Sequence, residues 1–149
     1  MTMHEVGIAL ALVSSLAAGA SAQGQGESIV KLPGDIVFKA PARPGPESAV
    51  LYGDPSKAGA YVTRVRLPAG LKLMPNWRAE PWRTAVVLSG TLYFGIGEQW
   101  EDSKLVAYPP GTFFSHPYKT PHFAWAKDGD VILQFTGMGP AGATQIPQK

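Results

Sequence analysis

The chain has 149 residues, of which 45% are hydrophobic and 16% charged, with a formal net charge of +2. So small a charge, with no run of Lys or Arg, excludes an interface built on neutralising nucleic-acid phosphates. Cysteine is absent, which excludes a disulfide framework, a thiolate metal site and a cysteine nucleophile.

In chain order, Val6 to Ala18 is apolar and small, and Ala20-Ser21-Ala22 follows as an A-x-A cleavage pattern. Residues 1–22 are therefore expected to be a secretory signal peptide, although the opening Met-Thr-Met-His-Glu lacks the usual positive charge. The run is too short for a comfortable membrane span, so no span is expected after its removal. A periplasmic or secreted protein, beginning at Gln23, is the corresponding expectation.

Residues 23–149 read as one domain. Ile29 to Phe38 is strand-like and broken by Pro33-Gly34, and Ala40 to Pro46 is too proline-rich for regular structure. Ala49 to Tyr52 is a short strand. Tyr61 to Leu67 alternates, with Tyr61, Thr63, Val65 and Leu67 on one face and Val62, Arg64 and Arg66 on the other. Strands are expected from Leu71 to Arg78, Trp82 to Ser89 and Thr91 to Phe94, with Ser89-Gly90 as a tight hairpin turn. Further strands fall at Lys104–Tyr108, Thr112–His116, His122–Ala126 and Val131–Thr136, the last two joined by an Asp-Gly hairpin in Lys127–Asp130. The tail from Gly137 reads as a loop and loose end, and no helix is expected after residue 22. Roughly ten short strands with frequent turns predict an all-β fold, an antiparallel sandwich or barrel.

Two spaced motifs sharpen this. Gly70 is followed at fixed intervals by Asn76, Arg78, Arg83 and Gly90, and Gly111 by Pro117, Lys119, His122 and Ala126. These spacings resemble the two motifs of the cupin superfamily, G-x5-H-x-H-x3-4-E-x6-G (here 70–90) and G-x5-P-x-G-x2-H-x3-N (here 111–126). The phrases LSGTLYFGIG, TPHFAWAKDG and QFTGMGP also resemble a bacterial single-domain cupin subfamily whose members usually keep the histidines. The resemblance implies an antiparallel jelly-roll β-barrel over 23–149, and a homodimer, since single-domain cupins commonly pair. It also implies that Asn76, Arg78, Arg83 and His122 point into the barrel, where the family holds a metal. Arg83 would lie on the strand paired with that of Arg78.

Of those four positions only His122 carries an ordinary metal ligand. Two guanidiniums repel a divalent cation, because arginine stays protonated. No cofactor is therefore expected. A displaced metal site would have to recruit His116 and Glu80, as in a metal-dependent cupin oxygenase. Arginine forks suit carboxylate, sulfate or phosphate, so Asn76, Arg78, Arg83 and His122 are expected to bind a small anionic molecule. The competing reading is a filled barrel in which Glu80 neutralises both arginines. A third is a metal-independent isomerase or lyase. There His122, kept neutral by the neighbouring positive charge, is the general base. Phe123 and Trp125 alternate away from His122 and are read as packing; Tyr93 and Tyr118 are further candidate donors.

Overall fold

In a computed structural model, residues 28–149 are described, and the elements below all lie within Lys31–Lys149. The expected signal peptide lies outside the described residues. No helix among the described residues is long and apolar enough to cross a membrane.

Ten strands form two five-stranded antiparallel sheets packed face to face. The first sheet runs β1 (Glu47–Tyr52), β2 (Gly59–Leu67), β9 (Val131–Gly139), β4 (Arg83–Ser89), β7 (Phe113–Ser115). The second runs β10 (Ala143–Gln145), β3 (Lys72–Arg78), β8 (His122–Trp125), β5 (Leu92–Ile96), β6 (Val106–Tyr108). This is the expected all-β jelly roll. Alternation along β2 turns Tyr61, Thr63 and Leu67 inward, and all three are buried.

The inner faces meet in a core of Leu67, Val87, Leu92, Phe94, Ala124, Ala126, Val131 and Leu133. Phe123, on the outer face of β8, is also fully buried, because Trp100 covers it with ring centroids 5.0 Å apart. Burying such a side chain contributes about 1.5–3 kcal/mol.

The structure corrects five expectations. Ser89-Gly90 is not a hairpin turn, and neither is Lys127–Asp130. Each connection passes from one sheet to the other, β4 to β5 and β8 to β9. Alternation reveals which face of a strand is apolar but not which strand pairs with it. Here consecutive strands bury their apolar faces against each other across the core. Gly90 is required by a close approach: its φ is 72°, and a Cβ there would lie 2.2 Å from the Asp130 carbonyl oxygen. For the same reason Arg83 is not on a strand paired with that of Arg78; β3 and β4 belong to opposite sheets.

The remaining two corrections concern the ends. Ile29–Phe38 forms no strand: Pro33–Asp35 is a 3-10 turn, and only Lys39 bridges to Ser48. The tail is not loose. β9 continues to Gly139, and β10 pairs along β3, with Ala143 opposite Arg78 and Gln145 opposite Asn76. All three β10 residues are exposed, so main-chain pairing holds the strand and no apolar pattern announces it.

Candidate functional site

Pro75 sits inside β3, where it supplies no N–H to a sheet ladder. The register with β8 slips there: Leu73 faces Ala124, and three residues on Asn76 faces His122, only two positions earlier on β8. This bulge lets Leu73, Asn76 and Arg78 all turn inward. Arg83 enters from the start of β4 on the opposite sheet. Asn76, Arg78, Arg83 and His122 thus line one cavity of about 240 Å³ between the sheets. Apolar residues fill the barrel beyond it.

Glu80, in the connection between β3 and β4, is 3% exposed and lies between the two guanidiniums. Its Oε1 is 3.8 Å from both Arg78 Nε and Arg83 Nη1. Tyr61 Oη donates to the same oxygen at 2.9 Å, and the Gly142 N–H donates to Oε2 at 3.4 Å. Burial alone would raise the Glu80 carboxyl. Its own backbone N–H, Arg78, Arg83 and Tyr61 together outweigh that, so it is held below the usual carboxylate range and stays ionised. The Tyr61 hydroxyl is pushed up to about 12 by burial and by the Glu80 charge, so it remains a donor.

The arginines differ. Arg83's side chain is 10% exposed, and its guanidinium lies 4.4 Å from the Phe135 ring centroid. Burial, with Arg78 nearby, lowers it to about 10, still charged at neutral pH. Arg78's side chain is 32% exposed, yet its Nε is buried and donates to no hydrogen bond.

His122 is buried, with its ring 5.4 Å from Phe94 and 4.4 Å from His116 between centroids. His122 Nδ1 lies 2.9 Å from the Thr120 carbonyl. A carbonyl only accepts, so Nδ1 carries the proton and Nε2 keeps its lone pair. Burial, then His116 and the two arginines, push this imidazole down to about 4 despite that bond. His116 is also lowered, by burial and then by Arg83 and Arg78, and its Nδ1 has no partner. Asn76 spends its amide N–H groups on the Met74 and His122 carbonyls.

The donor set does not fit a divalent metal. Among the described residues no three His, Cys, Asp or Glu side chains converge. Glu80 faces Tyr61 and the arginines, and the two guanidiniums sit in the same cavity as His122. Tyr93 donates instead to Asp128 at the surface, and Tyr118 is exposed beneath Lys119. Neither lines the cavity.

Sequence reasoning missed Tyr61 and Gly137. Tyr61, Gly137 and Arg83 are opposite one another across β2, β9 and β4. A Cβ on Gly137 would stand 2.8 Å from Tyr61 Oη, so the glycine makes the room through which Tyr61 reaches Glu80. A signal was present. Tyr61 heads the inward face of β2, and a buried phenol needs a hydrogen-bond partner.

No family model matches the sequence, and no curated protein matches it. Solved structures do match. The polyketide cyclase RemF from Streptomyces resistomycificus is 13% identical, with a TM-score of 0.66 over 83% of this chain and 88% of that one. A double-stranded β-helix protein from Klebsiella pneumoniae is 16% identical, with a TM-score of 0.60 over 81% and 99%. An RmlC-like cupin from Shewanella frigidimarina is 12% identical, with a TM-score of 0.54 over 74% and 92%. Two facing antiparallel sheets and these likenesses show that the chain has the double-stranded β-helix fold of the cupin structures it matches.

Proposed function

We propose that this protein binds a small anionic molecule in the cavity between its sheets, without a metal. The observation that carries the reading is the meeting of Arg78 and Arg83, from opposite sheets, at one cavity with a single carboxylate between them. Glu80 offsets one of the two positive charges and leaves the other. Glu80 does pair with both arginines, as the filled-barrel reading required, but the cavity beside them stays open. A charged hydrogen bond contributes about 1.5–3 kcal/mol, so losing one costs roughly tenfold or more in affinity. The test is calorimetric titration of the purified protein with small carboxylates, sulfate and phosphate. Saturable one-to-one binding, weakened at least tenfold in Arg78→Gln, is expected. Failure of every one of these anions to bind would sink the reading.

A second reading rests on His122. Its proton is fixed on Nδ1 and its Nε2 is free, so it could take a proton from a bound carbon acid. The C–H electron pair would stay on the substrate as an enolate beside the arginines, and returning the proton elsewhere would complete an isomerisation. Among structural neighbours, enzymes such as the cyclase RemF and DMSP lyases show that catalysis occurs on this fold. An imidazole lowered to about 4 is neutral at pH 7 but a weak base, which ranks binding above catalysis. Deuterium exchange into a bound carboxylate, lost in His122→Asn, separates the two.

A further inference from the structure

Resting on the anion-binding reading, the cavity also restricts which anion fits. The charged groups lining it are Arg78 and Arg83; Glu80 stands behind them, and His122 is neutral at pH 7. Two positive charges against one negative leave a single charge to be matched. A second negative charge on a ligand would face Glu80 without a cation to meet it.

The two arginines are not equally available. Arg83 is enclosed, with its guanidinium against the Phe135 ring and Glu80. Arg78 is the more open, and its buried Nε, 3.8 Å from Glu80 Oε1, makes no hydrogen bond. A buried unpaired donor is costly, which favours an acceptor arriving from the cavity. Apart from Asn76 and Ser48 the rest of the wall is apolar, with Val65, Leu73, Phe94, Phe114 and Leu133 drawn from both sheets. About 240 Å³ equals the volume of roughly eight waters, room for on the order of ten heavy atoms.

We propose that the ligand is a monoanionic carboxylate with a compact apolar body, its head at Arg78 and its body against Phe94 and Phe114. Arg83 then serves as the fixed counter-ion of Glu80.

The test is calorimetry on the purified protein at pH 7.5 with three probes: benzoate, its neutral isostere benzamide, and fumarate, a dianion of similar size. Benzoate should bind one to one, with benzamide and fumarate at least tenfold weaker. Arg78→Gln should weaken benzoate at least tenfold while the protein stays folded, with a lowered thermal midpoint because Glu80 loses one of its two cations. Arg78→Lys, which keeps the charge but lacks Nε, should fall between and covers a failure of the first variant to fold. Fumarate binding as tightly as benzoate overturns the monoanion claim while the anion-binding reading survives. Benzamide matching benzoate overturns both, whereas no binding by any probe overturns the carboxylate claim and leaves the anion-binding reading to the sulfate and phosphate titrations. An unchanged benzoate affinity in both Arg78 variants overturns the assignment of the head to Arg78.

Discussion

Tyr61 Oη donates to Glu80 Oε1 across 2.9 Å, joining the inner face of β2 to the connection between β3 and β4. Glu80 is thereby fixed between Arg78 and Arg83, where its charge offsets one of theirs. Glu80→Gln would leave Arg83 buried without a counter-ion. Breaking one side of a buried pair costs about 3–5 kcal/mol. The 3.8 Å separations and the partial exposure of Arg78 point to the lower part of that range. Tyr61→Phe, which removes one donor from a carboxylate that keeps its others, should cost about 1–3 kcal/mol. Urea melts should rank wild type above Tyr61→Phe above Glu80→Gln, and equal stability of all three would show the network to be energetically idle.

Acid should destabilise the protein through His122. Its folded value is about 4 against an ordinary 6.5. Between those values the unfolded chain holds a proton that the folded chain refuses, so stability falls as pH falls through that window. At about 1.4 kcal/mol per unit the loss approaches about 3 kcal/mol at pH 4. Glu80 acts with the same sign lower down. Its carboxyl is held below the ordinary 4.5, so its contribution is present above that value and is lost as pH falls through the folded value. Unfolding free energies measured from pH 7 to 4 should decline in the wild type and decline less steeply between 6.5 and 4 in His122→Asn, where the lowered His116 still contributes with the same sign. A flat wild-type profile would contradict the burial of a neutral imidazole.

Much of this site was legible in the sequence because fixed intervals survive where the residues themselves change. Gly70, Gly90 and Gly111 keep backbone angles φ of 81°, 72° and 87°, and the spacing between them carries Asn76, Arg78, Arg83 and His122 to one cavity. What was not legible depends on approach across space. Ser89-Gly90 looks like a hairpin because a glycine turn between alternating strands reads the same whether the chain stays in its sheet or crosses to the other. The pairing of Tyr61 with Glu80 spans 19 residues and depends on Gly137, which looked like the start of a loose tail. β10 has no apolar face at all, and only the edge it covers on β3 explains it.

Lys119 stands where the family motif has glycine, and it keeps the glycine's conformation, with φ 56°. A left-handed backbone costs a non-glycine residue about 1–2 kcal/mol, partly offset by the extra freedom glycine has when unfolded. Lys119 also lies over Trp77, 5.0 Å from its ring centroid, so a simple Lys119→Gly change would mix two effects. Comparing Lys119→Gly with Lys119→Ala removes the cation from both. The glycine variant should be the more stable by about 1 kcal/mol in thermal or urea melts. An alanine variant at least as stable would mean that the turn does not hold this conformation in solution.

Two like unit charges about 4 Å apart repel by about 4 kcal/mol at an effective dielectric of about 20. A divalent ion in this cavity would face two guanidiniums, about four such repulsions, and Glu80 behind them would return about two. Neutral His122 cannot offset the remainder. The wild type should therefore bind no stoichiometric manganese, iron or zinc, as checked by calorimetry and by metal analysis after equilibration. Asn76→His, Arg78→His and Arg83→Glu together would remove both repulsions and supply three donors beside His122, on strands that already turn these positions inward. Glu80 would lose its arginines in that variant, so the metal must also take over their charge, and the fold should become metal-dependent. Gain of one-to-one zinc binding with a raised thermal midpoint is the expected result. One equivalent of metal bound by the wild type through His122 and His116 would reverse the charge argument and with it the metal-free reading.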